Sequence, residues 1–530
     1  MIAENLFLIL ILFFFIIVLY LLSKRIRISF PIVLVIGGLL ASLIPAVPSI
    51  KIDPDLVFLL ILPPLLFEAA WYTSLADFLK WRKEILMMGF GLVFITSISV
   101  AYFSVWLIPG FTLALGFLLG GIISPPDAVA TTSILKELHL PKKGLTILEG
   151  ESLINDAASL TVFRFALITV ITGQFSWTSV SINFFTLSIG GIFIGLGIAA
   201  IIYFLLRYVT HRSNTIVLSL VTLFAPYLMY LIAEHFNCSG VLAVVSGGLF
   251  LSFFAKNYMT YSSRIQTKEI LETISFLLNG IVFILIGLEI PILLNEVHDF
   301  SISESIRYGL IISALVITVR IIWVLSYHLL SNKKENRNWK LAFITSWSGL
   351  RGVVSLASAL SIPLLIHGDS PFPFRNLILL ITFTVIFVTL IFQGLTLPYF
   401  MRKLNLKEEE SSAPHEQQLK DLQLKLAKDA LLHLENSYQD LIDNDRILER
   451  MKKTTAQGIR ILESEKEEQN KERFSVNSKL YFDLRLDIIK IKRSHLHQVC
   501  THTHYDNEVV RSVEHSLDLE EARLISAQVN

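Results

Sequence analysis

The sequence predicts an all-α polytopic membrane protein: thirteen transmembrane helices, arranged as inverted six-helix repeats with helices five and twelve broken, plus a cytoplasmic helical tail. Three observations predict it. Of 530 residues, 53% are hydrophobic and 17% charged, with a mean hydropathy of +0.62; a soluble domain so composed would lack the polar surface to cover itself. Thirteen apolar runs are each long enough to cross a bilayer. Lys and Arg gather in every second loop between them.

The apolar run from Phe7 to Leu22 is preceded by Glu4 and followed by Lys24 and Arg25, with no small-residue cleavage site. It therefore reads as a retained first span, about 3–23, and not as a signal peptide. Spans two and three cover about 28–45 and 55–72, the third containing Pro63, Pro64 and Glu68; span four covers 85–108. Span five, 111–135, is interrupted by Ser124-Pro125-Pro126-Asp127. Two prolines there break the helical ladder and leave free carbonyls beside a carboxylate. Span six, 144–171, carries three carboxylates, a serine and an asparagine between Glu149 and Asp156. Spans seven to eleven cover 181–206, 214–233, 238–255, 269–294 and 305–331. Span twelve, 340–365, is interrupted by Ser348-Gly349-Leu350-Arg351-Gly352, and span thirteen covers 375–401.

Lys24, Arg25 and Arg27 follow span one, Lys80, Arg82 and Lys83 follow span three, and Lys136, Lys142 and Lys143 follow span five. Spans seven, nine, eleven and thirteen are followed by the same charges, while the intervening loops carry little beyond Lys51 and Arg375. Positive-inside bias then puts the N-terminus outside and the C-terminus in the cytoplasm. The odd seventh span makes the second six enter from the opposite side, the topology of an inverted repeat, with the broken spans five and twelve as counterparts.

Two domains are expected, 1–402 in the membrane and 403–530 as a cytoplasmic helical region. The latter opens on a polar linker, Lys407 to Pro414. Leu419, Leu422, Leu426, Ala430, Leu434, Tyr438 and Leu441 then recur at helical spacing. More helix is expected in 445–465, 478–492 and 506–526. His495, His497, Cys500, His502 and His504 have metal-ligand chemistry, but their spacing matches no strict zinc pattern, and a solvated loop is the simpler reading. Net charge is +1, which gives no bias toward nucleic acid. Cys238 and Cys500 make no Cys-x-x-Cys pair and no disulfide framework.

Charge inside hydrocarbon is costly and usually marks an ion path or proton relay. On span six, Glu149, Ser152 and Asp156 share a face, and Asn155 lies four residues after Glu151 on the next one. A polar network that only holds helices together is the competing reading, but such work usually falls to Ser, Thr, Asn or Gln. Asp127 beside two prolines reads as functional, and Glu68 as an outlying carboxylate or gate. Arg351 is expected to be paired, with Glu151 or Glu149 as partner, because an unpaired guanidinium there is costly. Arg164 and Arg320 are expected to pair within the scaffold, and Glu234 and Glu289 to reach the outer interface.

Four motifs in order, Pro63-Pro64-Leu65-Leu66-Phe67-Glu68, Ser124-Pro125-Pro126-Asp127-Ala128-Val129-Ala130, Gly150-Glu151-Ser152-Leu153-Ile154-Asn155-Asp156 and Gly349-Leu350-Arg351-Gly352-Val353-Val354-Ser355-Leu356, carry a family resemblance. Together, over about residues 1–402, they resemble the bacterial sodium/proton antiporters of the monovalent cation/proton antiporter superfamily, in the branch with Asn-Asp in place of Asp-Asp. The resemblance implies that Asp156 alternately holds cation and proton. It implies ligand oxygens from Asp127, Ser152 and the Pro126 carbonyl, and Glu68 acting through water. Asn155 would organise the site and Glu151 would pair with Arg351. The family usually has Thr where Pro126 stands, so here a hydroxyl is lost while the carbonyl remains. Homodimers in a bacterial inner membrane are also implied, with monovalent cation and proton as the partners and no cofactor.

One titrating Asp beside an uncharged Asn suggests electroneutral exchange, one proton per cation. No Gly-x-x-x-x-Gly-Lys-Ser/Thr loop is visible, so ion gradients would drive transport. Potassium or ammonium exchange is the alternative within transport. A channel would share the site residues without coupling flux to protons. An intramembrane aspartyl protease using Asp127 and Asp156 is a remote alternative, disfavoured by the lack of a Gly-x-Gly-Asp motif.

Overall fold

Helix start and stop signals set most of the architecture. The computed structural model describes residues 2–26, 28–44, 57–127, 131–132, 135, 140–173, 177–209, 215–296, 301–330, 339–366 and 370–404. In the tail it describes 424–433, 435–436, 446–464, 484–492 and scattered positions beyond. The chain forms two compact units, Met1–Lys407 and Glu408–Asn530.

In the first unit, α1 (Ile2–Ile26) and α2 (Phe30–Ser42, opened by Pro31 in its first turn) lead into a wide π-helical turn, Val57–Ile61, and α3 (Leu62–Tyr72). The stretch between spans three and four is not only a connecting loop: it contains α4 (Leu75–Lys80), capped where Ser74 accepts from the Asp77 N–H. Next come α5 (Arg82–Leu86), a second π-helical turn at Met87–Gly91 and α6 (Leu92–Leu107). Thr112 caps α7 (Leu113–Ile123). α8 (Lys142–Thr172) ends on Gly173 at φ +69, the left-handed conformation that glycine adopts without cost.

α9 (Trp177–Val209), α10 (Thr215–His235), α11 (Gly240–Tyr258, capped by Ser239), α12 (Tyr261–Glu296) and α13 (Ile302–Leu330) follow. α14 (Trp339–Trp347) and α15 (Val353–Leu360) are two halves separated by non-helical residues 348–352. Span twelve was expected to run to 365, but α15 stops at Leu360, because Pro363 has no N–H to give and restricts Ile362 before it. A two-strand antiparallel hairpin, β1 (Leu365–Ile366) with β2 (Ser370–Pro371), then leads to α16 (Arg375–Val388), a π-helical turn at Thr389–Gln393 and α17 (Gly394–Leu404).

Among the described residues, seven helical stretches are long and apolar enough to cross a membrane: Arg82–Leu107, Lys143–Thr172, Phe184–Tyr208, Ile216–His235, Ser263–Glu289, Ile302–Leu329 and Arg375–Leu404. The fold is a mostly helical, polytopic membrane fold. Large apolar side chains such as Trp106, Phe193, Phe204 and Phe224 lie exposed on its outside, as suits a hydrocarbon solvent. Close helix approach depends on small residues. α2 and α12 cross at Gly38 and Gly287, where a β-carbon on either would run into the other helix's backbone.

α8 sits between two apolar cores. It gives Leu148, Phe163 and Ala166 to one and Leu153, Ala157 and Leu160 to the other. Its carboxylate-rich segment, 149–156, is thereby held inside the protein.

In the second unit, α18 (Arg446–Ser464) is the main described helix. Ion pairs Lys428–Glu463 (2.6 Å) and Lys452–Glu435 (3.1 Å) tie its neighbourhood together. Of the amphipathic series starting at Leu419, Leu426 and Ala430 are described, and both are exposed. The candidate metal ligands His495, His497, Cys500, His502 and His504 lie outside the described residues.

Candidate functional site: two broken helices beside an acidic helix

α7 ends at Ile123 because Pro125 and Pro126 cannot continue its ladder; 125–127 run on as non-helical chain. The break at 348–352 meets it. The Asp127 N–H donates to the Leu350 carbonyl (2.6 Å), and the Thr131 hydroxyl reaches the Ser348 carbonyl (3.2 Å). From the first turn of α15, the Val353 N–H donates to Asp127 Oδ2 (3.4 Å). The two interruptions thus satisfy part of each other's exposed backbone, as burial requires.

Both glycines of the second break are set by close approach. A β-carbon on Gly352 would collide with the Asp127 carboxylate, and one on Gly349 would lie 2.5 Å from Arg320 Cδ.

The pairing expected for Arg351 is not what forms. Glu151 is held by Arg320, in a fork with Nη1–Oε1 at 2.5 Å and Nη2–Oε2 at 2.9 Å, both side chains almost wholly buried. Arg320 Nη2 also donates to the Thr345 carbonyl (3.2 Å). Arg351 instead donates to backbone. Its Nε reaches the Ile123 carbonyl (3.0 Å), Nη1 the Gly349 carbonyl and Nη2 the Ser124 carbonyl (3.4 Å). The reason is local. Arg351 lies against the C-terminus of α7, whose last carbonyls have no helical donors and carry partial negative charge. Arg320, on an unbroken helix, is left free to match a carboxylate fork to fork.

Asp156, Asp127, Ser152 and Pro126 line one cavity of about 60 Å3. Asp156 and Asn155 are buried, and Asp127 and Ser152 are half-buried. Asn155 Nδ2 donates to the Pro126 carbonyl (3.1 Å), tying α8 to the break. Hydrophobic wall comes from Leu62, Leu65, Leu66 and Ala69, one face of α3. Glu68 is off that face: it is half-buried and is not part of the cavity wall. Asn279 of α12 and Ser355 of α15 also line the cavity. The sequence reading did not single them out, since one Asn or Ser in a span is an ordinary polar residue until its neighbours are known.

Glu151 and Arg320 open on a different, smaller cavity of about 20 Å3, shared with Glu84, Lys143 and His328. Arg164 pairs with both oxygens of Glu234 (2.9 Å each), and Glu234 also accepts from the Gly240 N–H (3.3 Å). Glu289, expected at the interface, is instead buried.

Two carboxylates and a hydroxyl thus line one small cavity beside the two helix breaks, a set of oxygens of the kind a small hard cation takes. Residues 9–403 match the family model described as sodium/hydrogen exchanger, transmembrane. The chain is 30% identical over 530 residues to an uncharacterized Na+/H+ exchanger of Mycobacterium tuberculosis, covering 95% of this chain and 93% of that protein. It is 34% identical over 385 residues to a sodium, potassium, lithium and rubidium/H+ antiporter of Bacillus subtilis, covering 70% of this chain and 57% of the relative. Its fold is similar to that of the sodium proton antiporter MjNhaP1 from Methanocaldococcus jannaschii, with a TM-score of 0.60 at 21% identity over 76% of this chain and 100% of that one.

Proposed function

Because this chain belongs to the sodium/hydrogen exchanger family, whose members are multi-pass cation/proton antiporters, we propose that it exchanges Na+ for H+ by alternating access, with Asp156 holding each in turn. One observation carries this reading: a buried carboxylate shares a cavity with Asp127 and Ser152 where two broken helices cross. A carboxylate accepts a cation only when deprotonated, so cation and proton exclude one another on one centre. If only the loaded forms change access, their movements in opposite directions are coupled.

In this reading Asp127, Ser152 and the Pro126 carbonyl supply further oxygens to the cation. Asn155 holds the Pro126 carbonyl in place. The Glu151–Arg320 pair fixes α8 against α13, and Arg351 braces the two breaks. Glu68, off the cavity wall, would act only through water. Exchange is one cation for one proton, hence electroneutral. We further propose thirteen crossings built as inverted six-helix repeats, with the N-terminus outside and the tail of 403–530 in the cytoplasm. A homodimer in the bacterial inner membrane is part of the same reading. The cation range named for the Bacillus subtilis relative supports a second reading, in which K+, Li+ and Rb+ are carried as well.

Purified protein in liposomes decides the matter. A sodium gradient should drive an opposite proton flux, followed with an entrapped pH dye. Asp156→Asn, correctly inserted, should abolish it, because an amide cannot exchange a proton for a cation at neutral pH. Undiminished flux in that variant would remove Asp156 from the mechanism.

A further inference from the structure

The cation cavity contains two polar side chains to which no role has been given. Asn279, in the interior of α12, is 8% exposed, and its Oδ1 has no hydrogen-bond partner. Ser355, in the first turn of α15, is 1% exposed, and its hydroxyl has none either. Both line the cavity with Asp127, Ser152 and Asp156. A buried oxygen without a donor is costly and rare, and it calls for a reason.

For Ser355 the reason is the broken helix. Serine and threonine within helices usually donate to the carbonyl three or four residues back. Ser348 and Thr345 do so here, to Ile344 (2.6 Å) and Leu341 (3.0 Å). Three and four residues before Ser355 stand Gly352 and Arg351, both in the non-helical break. The Gly352 carbonyl accepts the Leu356 N–H (3.2 Å) as the first bond of α15, and the Ser355 hydroxyl bonds to neither residue, so it is left to the cavity. Asn279 reaches the same cavity from a third element. Asparagine is a poor choice for an apolar helix interior unless its amide has work to do.

The charge balance also favours neutral oxygens. Asp156 and Asp127 already bring two negative charges to one monovalent cation. Pro126 has no side-chain oxygen, and its carbonyl already accepts one hydrogen bond, from Asn155. A small hard cation losing its water wants several oxygens at once, and neutral ones complete its shell without further charge.

We propose that Asn279 Oδ1 and Ser355 Oγ are neutral ligands of the transported cation and help set which monovalent cation the cavity prefers. This rests on the antiport reading for the identity of the ion, while the ligand role itself is testable without transport.

Two measurements on purified Asn279→Leu and Ser355→Ala test it: the Na+ and Li+ concentrations giving half-maximal proton flux in liposomes, and the Na+-induced rise in melting temperature in detergent. Each variant should need about five- to tenfold more Na+ in both measurements, with maximal flux retained and the ratio of Na+ to Li+ affinity altered. A purely structural role would instead lower the Na+-free melting temperature and leave half-saturation unmoved; that result overturns the proposal. Should Asn279→Leu fail to insert, Ser355→Ala, which only removes an oxygen, decides the outcome alone. If wild-type protein showed Na+ stabilisation lost in the variants but no cation-driven flux, the antiport reading would fall and the ligand assignment would stand. Flux present and unchanged in the variants sinks the ligands and leaves antiport intact.

Discussion

At the scale of single residues, Arg320, Arg164 and Arg351 of the membrane unit have three different kinds of partner. Arg320 takes a buried carboxylate, Arg164 a partly exposed one, and Arg351 takes carbonyls. Breaking a buried pair strands a charge, at about 3–5 kcal/mol. Arg320→Ala should therefore lower thermal stability in detergent by that amount, and the double change Arg320→Met with Glu151→Gln should recover much of it. Equal melting of the single and double variants would show that Glu151 does not depend on Arg320. The Arg164–Glu234 pair, with Arg164 43% exposed, should contribute far less. Residue type alone made Glu151 and a buried Arg readable as a pair. Which Arg it was depended on the direction of two side chains from different helices, and no spacing rule carries that.

At the scale of elements, the half-helices matter more than the long spans. α7 and α15 are 11 and 8 residues, too short to cross alone, and each begins or ends at the cavity. Their sequence signatures are plain: Pro125-Pro126 in one break, Gly349 and Gly352 in the other. The prolines act locally and are legible as breakers. The glycines act through contact, because their missing side chains make room for Arg320 and Asp127. Gly352→Ala should push the Asp127 carboxylate aside and raise the half-saturating Na+ concentration by on the order of 10- to 100-fold. Gly197→Ala, on α9 with nothing within 4 Å of its position, should leave it unchanged. An unaltered Na+ dependence in Gly352→Ala would separate Asp127 from cation binding. Span twelve's early end and the extra helix α4 were missed because one proline and one serine cap each act over a single turn.

At the scale of the whole molecule, the proposed exchange makes two linked statements. Competition on one carboxylate means that acid raises the half-saturating Na+ concentration. The sign follows from the proton occupying the cation's place, and the slope should approach about tenfold per pH unit on the acid limb. Electroneutral exchange means that flux ignores membrane potential. In liposomes with potential clamped by valinomycin, the sodium-driven pH change should have the same rate and end point at every clamp value. A systematic shift with potential would call for a second titrating group, with Asp127 in the same cavity the first to test.

The sequence by itself determined that this chain is a multi-pass helical membrane protein, where prolines and glycines interrupt its apolar runs, and which carboxylates fall inside those runs. Those are properties of composition and of neighbours along the chain: transfer free energy, helix length, proline and glycine. Tertiary structure alone decided that the two breaks cross, that Asn155 grips the Pro126 carbonyl, that Arg320 and not Arg351 holds Glu151, and that Asn279 and Ser355 open onto the Asp156 cavity while Glu68 does not. The physical reason is that a helix has faces. A residue's position in the chain fixes its face on its own helix, but only packing against other helices fixes what that face meets.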